Sequence, residues 1–141
     1  MYQQAPPSEQ DAKPRRRSRI REAHEQTILD AAETVFANKG FNGATVEEIA
    51  EQANLSKQNM LYYFASKEVL YQEVLRKIFH LWLESLNLLG QQGEDPATML
   101  ENYIRGKLEI SRTMPNASKV FANEIINGAP HIKQYLKDNL L

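Results

Sequence analysis

Two short helix signals separated by a three-residue turn constrain this chain more than any other feature. Thr45-Val46-Glu47-Glu48 has the form of a capping box: the Thr45 hydroxyl can accept from the Glu48 amide while the Glu48 carboxylate reaches back to the Thr45 amide. The helix it opens runs to about Ala53, with Val46, Ile49, Ala50 and Ala53 on the inward face. Asn54-Leu55-Ser56 follows as the turn, and asparagine is among the few non-glycine residues that readily take positive φ. Ser56 is placed to cap a second short helix that begins at Lys57 and ends near Phe64. Ala50 is small where the two helices must approach, and Ile49, Leu55, Met60 and Tyr63 fall at spacings that pack the pair against a preceding helix.

That preceding helix is legible from about Arg19 to Lys39. Ile28, Leu29, Ala32, Val35 and Phe36 form one apolar face, and Gly40 stands as a C′ glycine. After the pair, Ser66 caps a long helix to about Leu89 bearing Val69, Leu70, Val74, Leu75, Ile78, Phe79 and Trp82. Gly90–Gly93 breaks it. Asp95 and Pro96 open another helix to about Thr113, a further one spans Asn116–Asn127, and Pro130 opens a last one. No segment shows strand periodicity, so the expected fold is all-α.

The overall charge of −1 hides an asymmetry. Lys13, Arg15, Arg16, Arg17, Arg19 and Arg21 stand against only Glu9 and Asp11 in residues 1–21, whereas the remainder is acidic. A basic tip on an acidic body suits contact with nucleic acid or an anionic surface. Pro6, Pro7 and Pro14 with almost no large apolar group make residues 1–18 a flexible basic arm in this reading, or a tail that only aids solubility. The absence of cysteine excludes disulfides, thiol nucleophiles and cysteine-held zinc, and suits a reducing cytoplasm. Apolar stretches are too short to cross a bilayer, and no partnership with a membrane is expected.

On the outward face of the second short helix the sequence leaves Lys57, Gln58, Asn59 and Tyr62: a cation, two amides able to pair with base edges, and a phenol. The Ser56 end of that helix offers amides and a positive dipole to a phosphate, and Lys67 lies just past the following loop. Arg15, Arg16, Arg17 and Arg19 could reach flanking backbone or the minor groove. Short helix pairs also occur in proteins that never meet DNA, so an all-α interaction module binding a protein or an anionic surface is the alternative. Catalysis is not expected. His24, His80 and His131 fall in different helices, and no nucleophile elbow, phosphate loop or metal-ligand spacing is present, so neither cofactor nor metal is implied.

Residues 22–70 resemble the N-terminal domain of the TetR family of bacterial transcriptional regulators. The resemblance rests on Ile28-Leu29-Asp30-Ala31-Ala32, Phe36, Lys39-Gly40-Phe41, Thr45–Ala50, Leu55-Ser56-Lys57, Leu61-Tyr62-Tyr63-Phe64 and Ser66-Lys67-Glu68. Further matches, among them Trp82-Leu83, Tyr103-Ile104-Arg105 and Gly128-Ala129-Pro130, are similar to a pyrimidine-responsive subfamily. The resemblance implies a DNA-binding domain over residues 19–68, with its helix-turn-helix at 45–64, and a partial ligand-binding and dimerisation domain over 69–141. It implies a homodimer on a palindromic operator in double-stranded DNA, acting as a repressor that a small-molecule effector such as uracil or thymine releases. Thr45, Tyr62 and Lys67 would then contact phosphates, and Lys57, Gln58, Asn59 and Tyr63 would face base edges or adjacent backbone. The family often has Gly-Thr where this chain has Gln58-Asn59, so its operator does not transfer from other members. Phe79, Trp82, Tyr103, Lys107 and Arg112 are the candidate effector residues, with plain core and surface roles as the alternative. Members usually continue for two more long helices, so an end at Leu141 is expected to reflect truncation, with the usual dimer surface missing and any pocket open.

Overall fold

A computed structural model describes residues 9–87 and 95–140, and every element among them is a helix. In chain order these are α1 (Glu9–Gly43), α2 (Val46–Gln52), α3 (Lys57–Tyr63), α4 (Lys67–Asn87), α5 (Pro96–Thr113), α6 (Pro115–Ile126) and α7 (Pro130–Leu140). The expected glycine break at 90–93 and the end of α4 at Leu89 lie outside the described residues, as do residues 1–8.

α1 is the spine. Its apolar face packs against α2, α4 and α6, with α6 the most extensive neighbour. Ile28, Phe36, Ile49, Met60, Leu70, Leu75, Ile78 and Val120 are fully buried along the seam, each contributing about 1.5–3 kcal/mol of hydrophobic burial. α2 leans on α3, and α5 and α7 lie against α4 and α6. α5 buries none of its residues completely; Leu100, Ile104 and Leu108 are exposed on its outer face.

Gly40 interrupts α1 at φ 70, ψ 175, the positive φ that its glycine signals. One further turn, closed by the Ala44 amide on the Gly40 carbonyl at 3.2 Å, leads into α2. The expectation of a flexible arm over 1–18 is corrected for its second half: α1 is helical from Glu9. Nucleation is the costly step of helix formation, and the buried Ile28 turn has already met that cost. Extension through Ala, Arg, Glu and Gln then adds a hydrogen bond per residue, with Arg21–Glu25 at 3.0 Å as one i,i+4 pair.

A carboxylate sits inside the body of the protein. Glu124 of α6 is 3% exposed. It accepts from the Tyr71 hydroxyl (2.8 Å) and from the amides of His131 (2.7 Å) and Ile132 (3.2 Å), with His131 Nδ1 3.2 Å away. It therefore caps α7, whose first amides would otherwise be orphaned, and ties that helix to α4. The His131 ring lies 4.3 Å from that of Phe41 and 4.7 Å from that of Tyr71, centroid to centroid, joining α7 to the last turn of α1 and to α4.

Candidate nucleic-acid interface

The caps of the short helices form as their residues dictate. The Thr45 hydroxyl accepts from the Glu48 amide at 3.2 Å, and the Ser56 hydroxyl from the Asn59 amide at 3.1 Å. Asn54 takes φ 57, and its amide closes on Glu51 at 3.0 Å while that of Leu55 reaches Ala50 at 2.9 Å. The capping box is made by one half only. Glu48 gives Oε1 to Lys39 of α1 at 2.8 Å, and its buried Oε2 has no hydrogen-bond partner. The cap carboxylate thus fastens α2 to the spine.

With Ile49, Ala50, Ala53 and Met60 turned into the core, α3 presents Lys57, Gln58, Asn59 and Tyr62 to solvent, Tyr62 being 73% exposed. Thr45 and Ser56 are exposed beside them. Lys57 is not a free cation: its Nζ donates to Glu47 Oε1 at 2.7 Å, and this bond holds the Glu47 carboxyl below the usual glutamate range. Arg16, Arg17 and Arg19 are exposed on α1. Arg15 falls within the helix as well, so the basic residues expected on a flexible arm stand on a rod.

Two further candidates are engaged by the protein itself. Lys67 Nζ is half-buried and donates to the carbonyls of Phe41 (2.8 Å) and Ala44 (3.2 Å), while lying 4.4 Å from the Phe41 ring centroid. Instead of standing free for a phosphate, this ammonium clips the loop before α2 to the start of α4, because carbonyls left over at the end of α1 need donors. Tyr63 is also turned inward. Its hydroxyl shares a 2.9 Å hydrogen bond with His24 Nδ1, and its ring meets that of His24 edge-on at 5.6 Å. In this structure Tyr63 anchors α3 to α1. The packing role also expected at that spacing agrees with this placement.

The effector candidates divide in the same way. Lys107 Nζ lies 4.8 Å from the Trp82 ring and 4.7 Å from the Tyr103 ring. Trp82 stacks on Phe121 at 4.8 Å, and Phe79 stacks on Tyr135 at 5.4 Å. Four of the five candidates therefore belong to one aromatic array, which also recruits Phe121 and Tyr135 from helices too distant in sequence to pair by spacing. The buried Trp82 Nε1 has no hydrogen-bond partner. Arg112 stands apart: it is exposed and pairs with Glu109 at 2.5 Å, because five residues past Lys107 a helix has turned to a different face.

Two capped helices held across a positive-φ turn, with a polar outer face on the second, define a helix-turn-helix module. Residues 28–74 match the model of "Bacterial regulatory proteins, tetR family", and residues 75–141 match that of "YcdC-like protein, C-terminal region". The HTH-type transcriptional regulator RutR of Escherichia coli (strain K12) is 44% identical over 125 residues, covering 89% of this chain and 58% of that protein. The biofilm operon icaADBC HTH-type negative transcriptional regulator IcaR of Staphylococcus aureus (strain Newman) is 33% identical over 99 residues, covering 61% of this chain and 53% of its own length. Among solved structures, a TetR-like transcriptional regulator from Rhodococcus sp. RHA1 superposes with a TM-score of 0.72 at 26% identity, over 83% of this chain and 64% of that one. The chain belongs to the TetR family, whose members named here are regulators and not enzymes. It spans 58% of the length of the RutR protein that it matches. No helix among the described residues is long and apolar enough to cross a membrane.

Proposed function

We propose that this chain acts as a sequence-specific DNA-binding transcriptional regulator, a homodimeric repressor whose α3 enters the major groove of each half of a palindromic operator. The observation that carries this reading is the outer face of α3, where Gln58 and Asn59 stand exposed on a helix whose other face is locked in the core. Primary amides can bond an adenine edge through two hydrogen bonds at once. Thr45, Ser56, Lys57 and Tyr62 surround them with donors suited to phosphate oxygens. Repression, and not activation, is supported by the "negative" regulator among the relatives.

The effector in this proposal is a small planar heterocycle of the uracil or thymine type. Its support is the Trp82–Tyr103–Lys107 array, which offers stacking surfaces, a cation and one unsatisfied indole N–H for a ring carbonyl. Ligand would act by selecting a conformation in which the two α3 helices no longer match the groove spacing.

Selection of preferred duplexes from a random pool, followed by anisotropy titration across salt, tests the DNA reading. A shared palindromic sequence and a steep salt dependence are expected. Equal affinity for unrelated duplexes would instead favour a module for anionic surfaces. Trp82 is the only tryptophan of the chain, so its fluorescence reports pyrimidine binding directly. An unchanged emission at millimolar uracil and thymine would overturn the effector assignment.

A further inference from the structure

The basic end of α1 is joined to α3 by a cluster built around Tyr62 and Tyr63. Arg17, Arg21, His24 and Ile28 follow one another at spacings of four, three and four residues, which places them on a single face of α1. Ile28 is buried in the core. One turn earlier His24 bonds the Tyr63 hydroxyl. Another turn earlier the Arg21 guanidinium lies 5.8 Å from the ring centroids of both Tyr62 and Tyr63, whose rings meet edge-on at 5.3 Å. Arg21 is held from its other side by Glu25. The face that begins in the core therefore continues along α3 and ends, about 6 Å beyond Arg21 along the helix axis, at the exposed Arg17.

We propose that the Arg17–Arg21–His24 face of α1 is a second DNA-contacting surface, a rigid strut that lies along the phosphate backbone beside the groove α3 occupies. This rests on the DNA-reading function proposed above. Its partner is backbone and not base edge for a steric reason. An α-helix with its side chains is about 10–12 Å across, whereas the minor groove is about 6 Å wide. A helical α1 cannot follow the route that a flexible arginine arm takes. Arg21 supplies paired guanidinium donors and is oriented by the two tyrosine rings. Arg17 supplies a second set one turn outward, and exposed Tyr62 closes the surface against α3. His24 is a positioning residue: it holds Tyr63, and through it the ring pair on which Arg21 rests.

Affinity for the selected operator, measured across salt with the chain and its variants, tests the strut. Each phosphate contact adds about 0.9 to the slope of log K against log salt, so Arg17→Ala and Arg21→Ala should each flatten it by about that amount. Ser18→Pro, which breaks the helix without removing a charge, should lose as much slope as Arg17→Ala; a flexible arm would lose none. His24→Leu should weaken binding with the slope unchanged, and His24→Asn, which keeps a hydrogen-bonding group near the Nδ1 position, should restore it in part. Distamycin, which fills A·T minor grooves, should not compete with the N-terminal contact. Unchanged slopes in both arginine variants, tolerance of Ser18→Pro, or distamycin displacing the wild-type chain only as far as Arg17→Ala does would each overturn the strut. Absence of binding by the wild-type chain to any duplex would overturn the DNA-reading function itself.

Discussion

The Tyr71 hydroxyl donates to Glu124 Oε2 at 2.8 Å, across 53 residues of sequence, in a place where neither side chain has water to turn to. The same carboxylate receives two amides of α7, so one buried charge organises the meeting of α4, α6 and α7. Glu124→Ala would leave these donors unpaired in the interior. The expected cost is about 3 kcal/mol, read as a lowered urea midpoint. Glu124→Gln, which keeps an acceptor and the shape, should lose less.

Alkali should find the other end of that bond. Burial first, and then the hydrogen bond and charge of Glu124, push the Tyr71 phenol well above its ordinary value near 10. The unfolded chain ionises its tyrosine at about that ordinary value while the folded chain resists. The stabilisation is thus complete below about pH 10 and is lost progressively as pH rises above it. Urea titrations from pH 8 to 11 should show stability falling over the upper part of the range. A curve of the same shape in Tyr71→Phe would count against this origin.

Lys67→Met should lower stability as well as DNA affinity, because the ammonium satisfies two carbonyls of the protein itself. Hydrogen bonds from a charged donor are worth about 1.5–3 kcal/mol, which thermal denaturation without DNA resolves. Undiminished stability would return Lys67 to the role of a free phosphate ligand.

Gln58→Ala and Asn59→Ala should change which duplexes are preferred, by about 1–3 kcal/mol for each lost paired contact. The measurement is repeated duplex selection with each variant. An unaltered preference in Gln58→Ala would remove that residue from base readout.

Glu47 restrains Lys57. A phosphate must displace the carboxylate 2.7 Å from the ammonium before Lys57 can serve DNA. Glu47→Gln should therefore raise affinity for all duplexes several-fold at low salt and narrow the margin between operator and unrelated DNA. Anisotropy titration against both kinds of duplex reads the two effects.

Much of this architecture is local and could be read from the chain. The hydroxyls of Thr45, Ser56 and Ser66 each find an amide three residues on, Asp95 caps α5, and Asn54 takes the positive φ its turn requires. Local chemistry does not report what a side chain finds across the fold. Glu48 had the spacing to complete its box but had Lys39 nearer to hand. Lys67 and Tyr63 looked available because the carbonyls that engage Lys67 lie 23 and 26 residues upstream, and the histidine that engages Tyr63 lies 39 upstream. Proline content argued against order over residues 9–18, where extension of an anchored helix outweighed it. The outer face of α3 was legible for the opposite reason: what shows on a two-turn helix is whatever its few apolar residues do not bury.

Because α1 passes unbroken from its arginines to Gly40 and packs chiefly on α6, the module that would read DNA and the body that would sense a ligand share one piece of backbone. Recombination between relatives at the boundary before α4 would split a mated pair of surfaces, giving each hybrid an α1 ground to fit someone else's α6. Grafted operator specificities should therefore transfer cleanly only when α6 travels with them, or when the exchange is confined to the few solvent-facing side chains of α3.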